Sequence, residues 1–266
     1  MPVLAVDTEF LREKTYYPKL CLVQVSTGEE IAAIDPLSID DLSPLVRLFE
    51  DPKIVKVIHA CSQDLEVLLY GTHCACAPVF DTQLAAAFLS MRQQASYASV
   101  VEHYMGVHLP KTESLTDWSR RPLDPEQLVY AEDDVRYLPD IYRCMYERLM
   151  KTNRLGWLMP EMNAYTAPEN FKRDPKEAYL HLKRSNSLTR RQMALAREIC
   201  AWREERAAQH NIPRKWIISD ETLVEICKRS PATSERLKRI RGTESLSQES
   251  VASILAAIKV GRSIPP

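Results

Sequence analysis

The sequence predicts an α/β domain with a mixed sheet, followed by a small all-α domain. Three observations support this fold class. Three strand patterns near the N-terminus are followed by alternating helix and strand patterns, which is typical of a mixed sheet flanked by helices. From residue 187 onward, every periodic segment has helical spacing. The length of 266 residues also exceeds that of a typical single domain, which has about 100–200 residues.

The front part begins with predicted strands at residues 3–10, 20–26 and 31–35, and their short connections favour an antiparallel meander. The stretch DDLSPLVRLFEDP then predicts a helix that stops at Pro52. The strand KIVKVIHA, the helix SQDLEVLLYG with Ser62 as N-cap, the strand VFDT and the helix QLAAAFLS follow. The remaining pattern up to about residue 150 is mostly helical.

The segment 161–186 predicts a linker, because it is polar and contains Pro168 and Pro175. We therefore place the two domains at residues 1–160 and 187–266.

The rear domain is predicted to contain four helices that form a compact bundle. Thr189 and Gln192 predict a capping box at the start of the first helix. The other three are predicted to start at Asp220, Pro231 and Ser247, with stops at Gly242 and Gly261.

The composition disfavours several classes of protein. The apolar fraction of 45% supports real cores, and no apolar run approaches the about 20 residues that a membrane span requires. The N-terminal residues lack the basic region and apolar stretch of a signal peptide. The seven cysteines are scattered and include no CxxC pair, which disfavours a disulfide framework or a zinc site. We expect a cytoplasmic protein that does not contact membranes and is a monomer.

The net charge of −1 conceals a strong asymmetry along the chain. Residues 1–170 hold 15 Lys and Arg against 25 Asp and Glu, whereas residues 171–266 hold 20 against 11. An acidic front fits the binding of metal cations, and a basic rear fits the binding of a polyanion. The candidate residues for binding the polyanion are Arg236, Lys238, Arg239 and Arg241. The alternative is that this basic cluster is an ordinary solvated helix face.

Four acidic residues lie beside segments that predict core: Asp7 and Glu9 on the first strand, Asp64 early in a helix, and Asp134 in YAEDDVRYL. Asp7 and Glu9 are two residues apart, so their side chains share one face of the strand. Like charges this close repel each other unless a cation lies between them. Each acid alone fits an ordinary surface charge. Together they predict a two-metal site for phosphoryl chemistry, with Mg²⁺ or Mn²⁺ favoured by the oxygen ligands.

Tyr130 lies four residues before Asp134, which places both on one helix face, a turn apart. This pair can present a carboxylate to a metal and a phenol to a nucleophilic water. The alternative is a packing tyrosine on a capped surface helix.

The order of these motifs resembles that of the DEDD exonucleases, in the subgroup with a tyrosine in the third motif. The similarity extends to bacterial ribonuclease D over nearly all of residues 3–150, and the rear domain resembles the HRDC module. Relatives in this family generally have a short segment before the DxE strand, and many have two HRDC modules, whereas this sequence has room for one. The stretches that carry the similarity are DTEF, TYYPKLCLVQ, HACSQDLEVLL, FDTQLAAAF, TDWSRRPL and YAEDDVRYL.

This resemblance implies a ribonuclease H-like fold and a metal-dependent exoribonuclease that releases 5′-mononucleotides from RNA 3′ ends. The expected substrates are tRNA precursors and other small structured RNAs, with the HRDC module assisting RNA binding. Asp7, Glu9, Asp64 and Asp134 would be the catalytic acids that hold two divalent ions, and Tyr130 would orient the water.

Several residues near the acids are candidates for contacts to the RNA. Phe10 fits the core equally well, Trp118 fits a buried anchor better than a base-stacking residue, and Asp81 fits an N-cap. The other candidates are Thr8, Gln63, Lys111, Arg120 and Arg121.

Two other functions fit part of this evidence. A 3′→5′ exodeoxyribonuclease fits the carboxylates equally well, because they do not contact the 2′-hydroxyl that distinguishes RNA. A non-enzymatic RNA-binding scaffold would keep the fold, but the intact acids and Tyr130 argue against it.

Overall fold

A computed structural model describes residues 1–110 and 116–264 of the chain. It divides into two compact units. The first comprises Met1–Leu11 and Pro18–Lys172, and the second comprises Arg12–Tyr17 and the chain from Arg173 onward. The boundary after Lys172 falls inside the segment for which a linker is predicted. None of the helices in the described ranges is long and apolar enough to cross a membrane.

The described residues of the first unit contain a five-stranded mixed sheet with the strand order β3-β2-β1-β4-β5. The central strand β1 pairs antiparallel with β2 and parallel with β4, β2 pairs antiparallel with β3, and β4 pairs parallel with β5. The predicted meander and mixed sheet are thereby confirmed. The strands are β1 (Val3–Leu11), β2 (Lys19–Ser26), β3 (Ile31–Ile34), β4 (Val55–Ile58) and β5 (Val79–Asp81).

Two apolar cores cover the two faces of this sheet, because successive side chains of a strand point to opposite sides. Ala5 and Val57 belong to one core, whereas Leu4, Val6 and Ile58 belong to the other. The near-continuous apolar runs of β1 and β4 therefore reflect burial on both faces. The helices of this unit are α1 (Ser43–Glu50), α2 (Ser62–Thr72), α3 (Thr82–Phe88), α4 (Tyr97–Met105), α5 (Pro125–Arg136), α6 (Leu138–Lys151) and α7 (Leu155–Tyr165).

A side-chain cap explains where α3 begins, whereas α2 begins without one. Asp81 caps α3, as expected, because its side chain accepts hydrogen bonds from the backbone N–H groups of Gln83 and Leu84. The prediction that Ser62 caps α2 is wrong. Cys61 occupies the N-cap position without a side-chain hydrogen bond, and Ser62 is already helical.

The second unit is helical, and its helices are α8 (Arg190–His210), α9 (Arg214–Ile217), α10 (Asp220–Arg229), α11 (Ser234–Lys238) and α12 (Gln248–Ser263). The capping box of Thr189 and Gln192 at the start of α8 is confirmed, and so is the N-cap role of Ser247 before α12. Short 3₁₀ helices at Pro175–His181 and Ser185–Ser187 precede α8, and Leu182 between them is buried in the core of this unit.

Four predicted helix ends in this unit are wrong. The first is the stop at Gly242, because α11 already ends at Lys238. Ser219 rather than Asp220 caps α10, and Thr233 rather than Pro231 caps α11, because each hydroxyl accepts a hydrogen bond from a backbone N–H of the first turn. Asp220 is instead paired with the buried Arg203, at 2.7 Å. Gly261 does not stop α12 but lies inside it.

Gly261 allows α12 to approach α8 closely. A Cβ added at Gly261 would lie 2.9 Å from the carbonyl oxygen of Ala194 and 2.9 Å from the Cα of Leu195. We expect Gly261→Ala to lower the free energy of unfolding by about 1–3 kcal/mol, because neither backbone atom can readily move away. Urea unfolding followed by circular dichroism measures this change.

Gly156→Ala in α7 is the matched control, because nothing lies within 4 Å of a Cβ added there. In open space this substitution should be neutral or stabilise the helix by about 0.5–1 kcal/mol. Equal stability of Gly261→Ala and the wild type would contradict the close-packing explanation.

Candidate active site

Three carboxylates meet beside the central strand of the sheet. One carboxylate oxygen each of Asp7, Glu9 and Asp134 lies within 4.8 Å of the other two. Asp7 and Glu9 project from one face of β1, and Asp134 comes from α5, which packs against β1, β2 and β3. All three side chains are partly buried. The group contains only oxygen donors, which suits a hard divalent cation.

Asp64 lies near this group but is not a member of it. The residue is only 7% exposed, and its Oδ1 accepts a hydrogen bond of 2.6 Å from the Thr8 hydroxyl. Its charge nevertheless acts on Asp7, Glu9 and Asp134. The structure therefore brings three of the four predicted acids into direct proximity and places the fourth within electrostatic reach.

Burial raises the pKa of every one of these carboxyl groups. The pKa of Glu9 rises to about 8, and those of Asp64 and Asp134 rise to about 7. The pKa of Asp7 is also well above its usual range, because the charges of Asp64, Asp134 and Glu9 add to the effect of burial. Four carboxylates charged together are thus unfavourable here unless a cation neutralises them.

Tyr130 lies on α5, the helix that also carries Asp134. Asp134 lies one turn further along the helix, and the two side chains influence each other's pKa. Burial and the neighbouring acids raise the pKa of this phenol above its ordinary value, so Tyr130 is protonated at neutral pH. It can therefore orient a water through hydrogen bonding, but it is a poor general base.

The residues that flank the acids differ in their surroundings. The Thr8 side chain is buried, and its hydroxyl donates a hydrogen bond to Asp64. Phe10 is partly buried and packs against one of the two sheet cores. Gln63 is exposed in the first turn of α2, next to Asp64. Lys111 lies outside the described residues. Contacts of these four residues with a substrate stay predictions.

The segment before α5 agrees with the sequence prediction at Trp118 and differs from it at Arg121. The prediction that Arg121 contacts phosphates is wrong, because its guanidinium is occupied by Asp35 and by backbone carbonyls. Trp118 is 3% exposed and so is the buried anchor that the sequence favours. The side chain of Arg120 is exposed.

The basic cluster of the second unit lies on α11 and the turn that follows it. Its four side chains are exposed, while Leu237 and Ile240 between them are buried in the core. The cluster thus presents positive charge to solvent, which a polyanion contact requires. Its members are Arg236, Lys238, Arg239 and Arg241.

Sequence reasoning missed Gln24, which lies directly opposite Asp7 in the β1–β2 pair. The residue is fully buried, and neither polar atom of its amide has a hydrogen-bond partner among the described residues. A single amide within the apolar stretch LCLVQVS was the available signal, because polar residues inside a buried strand need a reason.

Gln24→Met is expected to stabilise the metal-free protein by about 1–3 kcal/mol, because it removes buried polar atoms that lack partners. Gln127→Met is the matched control: Gln127 is also buried, but its amide donates to Thr116 and accepts from the N–H of Asp124. That change should be destabilising. Urea unfolding of both variants without metal checks the pair, and a destabilised Gln24→Met would contradict the expectation.

A cavity of about 610 Å³ opens beside Tyr130 and Asp134. This volume lies within the range of about 300–1,000 Å³ that is usual for small-molecule sites. Most of its lining is apolar, and three acidic side chains are among the polar residues. The lining residues are Ser96, Tyr97, Ala98, Leu109, Pro110, Pro125, Glu126, Val129, Tyr130, Asp133 and Asp134.

Comparison with known proteins agrees with this geometry. Residues 1–150 match the family described as 3′-5′ exonuclease, and residues 192–258 match the HRDC domain. Ribonuclease D of Granulibacter bethesdensis is 41% identical over 267 residues, which cover 99% of this chain and 67% of the relative. The crystal structure of Escherichia coli RNase D superposes with a TM-score of 0.86 at 34% identity, covering 99% of this chain and 70% of that one.

A more distant structure, Brucella melitensis NrnC with bound Mg²⁺, shares the fold. Its TM-score is 0.57 at 24% identity, covering 71% of this chain and 89% of that one.

The mixed sheet, the carboxylate group and the two family matches define a 3′→5′ exonuclease domain joined to an HRDC domain. The similar proteins identify the family within this class. The chain belongs to the ribonuclease D family and is a hydrolytic 3′→5′ exoribonuclease.

Proposed function

We propose that this exoribonuclease trims the 3′ ends of tRNA precursors and other small structured RNAs, and that it does so with two divalent ions, Mg²⁺ or Mn²⁺. The observation that carries the metal part of the proposal is the group of three carboxylate oxygens within 4.8 Å of one another. Their raised pKa values support it, because a bound cation would offset the cost of charging them. The E. coli relative, described as an exoribonuclease involved in structured RNA processing, supports the substrate class.

The residues present fit such ions. Asp7, Glu9 and Asp134 would hold one ion, and Asp64, with Asp7, would complete the site of the second. Bound there, the ions would lower the pKa of the attacking water and neutralise charge on the departing 3′ oxygen.

The chain's own residues would then position the reactants. Tyr130, which is protonated, would orient the attacking water through its hydroxyl. The cavity beside it would take the 3′-terminal nucleoside, because its lining is largely apolar, while Glu126 and Asp133 disfavour a phosphate there. Thr8, Phe10, Gln63 and Lys111 are the proposed further contacts around this position.

We also propose that the protein works as a monomer in the cytoplasm. All seven cysteines are free, which fits a reducing compartment.

Digestion of a 5′-labelled structured RNA and of the matching DNA tests this function. We expect a ladder that shortens from the 3′ end of the RNA with Mg²⁺ or Mn²⁺ and no shortening with a chelator. Equal or faster shortening of the DNA would favour the exodeoxyribonuclease instead. Cleavage that a chelator leaves unchanged would overturn the metal proposal.

The basic cluster on α11 predicts a salt-dependent contribution to RNA binding. Replacing Arg236, Lys238, Arg239 and Arg241 by Gln should weaken binding of single-stranded RNA. It should also reduce the slope of log K against log salt by about 0.7 for each phosphate that the variant no longer neutralises. Binding titrations at several salt concentrations measure the slope. An unchanged slope would show that the cluster is ordinary solvated surface.

A further inference from the structure

Arg121 uses all of its hydrogen-bonding capacity within the first unit. A guanidinium has five N–H donors. Nε and Nη2 donate to the two carboxylate oxygens of Asp35, each at 2.6 Å, in a bidentate pair. Nη2 also donates to the carbonyl of Cys21, and Nη1 donates to the carbonyls of Trp118 and Arg120, each at 2.8 Å.

These bonds join three separate parts of the chain. Asp35 follows β3, Cys21 lies within β2, and Trp118 belongs to the turn before α5. The side chain of Arg121 is 25% exposed and that of Asp35 is 24% exposed, so the pair is largely shielded from water. Charge-assisted bidentate bonds in such surroundings are stronger and more directional than single neutral ones. The turn that carries Trp118 is therefore held firmly against the sheet.

Trp118 in turn packs beneath Tyr130. The ring centroids are 6.1 Å apart with an interplanar angle of 40°, and both residues belong to one apolar cluster with Cys21, Leu22 and Ala131. The Trp118 ring is almost fully buried, so it cannot move aside without opening a cavity.

The same turn is also fastened to the start of α5, the helix that carries Tyr130. The amide of Gln127 donates to the Thr116 hydroxyl at 3.0 Å and accepts from the N–H of Asp124 at 2.9 Å. The turn thus contacts α5 at two places. Thr116 binds Gln127 near the start of the helix, and Trp118 packs against Tyr130 about one turn later.

We propose that Arg121 and Trp118 are positioning residues for the exonuclease reaction, because they fix the ring of Tyr130 at the angle needed to orient the attacking water. This inference rests on the proposed role of Tyr130. The Arg121 guanidinium holds the turn, the turn holds Trp118, and Trp118 sets the tilt of the phenol. Neither residue contacts the substrate or the acids in this scheme.

Arg121→Lys is the main test variant. A lysine keeps the positive charge but lacks the fork that binds Asp35 in a bidentate manner and reaches three carbonyls. We expect kcat to fall about 10- to 100-fold, because small misplacements of a positioning group have effects of this size. The KM for RNA and the Mn²⁺ concentration for half-maximal rate should change less than about twofold, because the acids keep their places. Arg143→Lys is the matched control: Arg143 forms an exposed ion pair with Asp140 on α6.

A double-mutant cycle separates positioning from a general loss of structure. If Arg121 acts through Tyr130, Arg121→Lys should have almost no further effect on kcat in a Tyr130→Phe background. Trp118→Phe should behave in the same way, and it serves in place of Arg121→Lys if that variant does not fold. Effects of the single changes that multiply in the double variant would overturn the proposal.

A second measurement does not depend on activity. The protein is labelled with 3-fluorotyrosine, and the ¹⁹F signal of Tyr130 is assigned by its loss in Tyr130→Phe. We expect this signal to shift and broaden in Arg121→Lys and to stay unchanged in Arg143→Lys. An unchanged signal in Arg121→Lys would overturn the proposal. If the wild type failed to shorten RNA, the proposed function would fail while this measurement still tested the support of the ring.

Discussion

Asp7→Asn is expected to reduce the rate of 3′-end hydrolysis at least about 10³-fold at saturating RNA and metal. The carboxylate of Asp7 lies within the oxygen group that would hold the ions, and metal charge stabilisation is worth several kcal/mol. A loss of about 4 kcal/mol corresponds to about 10³-fold in rate. Asp134→Asn should have an effect of similar size. Single-turnover digestion of 5′-labelled RNA measures both variants.

Asp140→Asn is the control for this prediction, because Asp140 is an exposed acid on α6 that pairs with Arg143 across a helix turn. It should digest RNA at the wild-type rate. Undiminished hydrolysis by Asp7→Asn or Asp134→Asn would remove the carboxylate group from the mechanism.

The second large effect concerns the stability of the metal-free protein. The folded-state pKa values of Glu9, at about 8, and of Asp64 and Asp134, at about 7, exceed the values of about 4 expected for the unfolded chain. The folded protein therefore binds protons that the unfolded chain has released. The stability from this source is fully present below about pH 4 and is lost as the pH rises through 7 to 8. We expect the free energy of unfolding to be lower at pH 8.5 than at pH 5.5.

Two comparisons check this explanation. Asp7→Asn should be more stable than the wild type at pH 8.5 without metal, by about 1–3 kcal/mol, because one repelling charge is gone. Mn²⁺ should raise the melting temperature of the wild type more at pH 8 than at pH 6, since protons compete with the cation for the carboxylates. A wild-type stability that is flat between pH 5.5 and 8.5, or a less stable Asp7→Asn, would contradict the electrostatic argument.

These two effects have opposite signs for the same substitution. Asp7 would be required for hydrolysis and yet would destabilise the fold that carries it when no ion is bound. Such a conflict is expected at a site that is arranged for a charged ligand rather than for stability.

Local patterns in the sequence were sufficient to predict much of the fold and of the candidate site. The period of two on β1 placed Asp7 and Glu9 on one face, and the period of the helix placed Tyr130 a turn from Asp134. The mixed sheet and the helical rear unit followed from the order of the elements. Helix starts were less reliable. Whether Ser219 or Asp220 caps α10 depends on the backbone angles of a single residue, and pattern does not specify them.

The sequence by itself determined which acids are present, their spacing along one strand and one helix, and the family to which they belong. Only the tertiary structure decided that Asp64 is hydrogen-bonded to Thr8 and that Gln24 lies buried opposite Asp7. It also decided that Arg121 holds the turn beneath Tyr130 rather than a phosphate. Arg121 binds Asp35 and Cys21 across 86 and 100 residues of chain. Contacts between segments so far apart depend on how the sheet pairs and how the loops close, and no local periodicity records either.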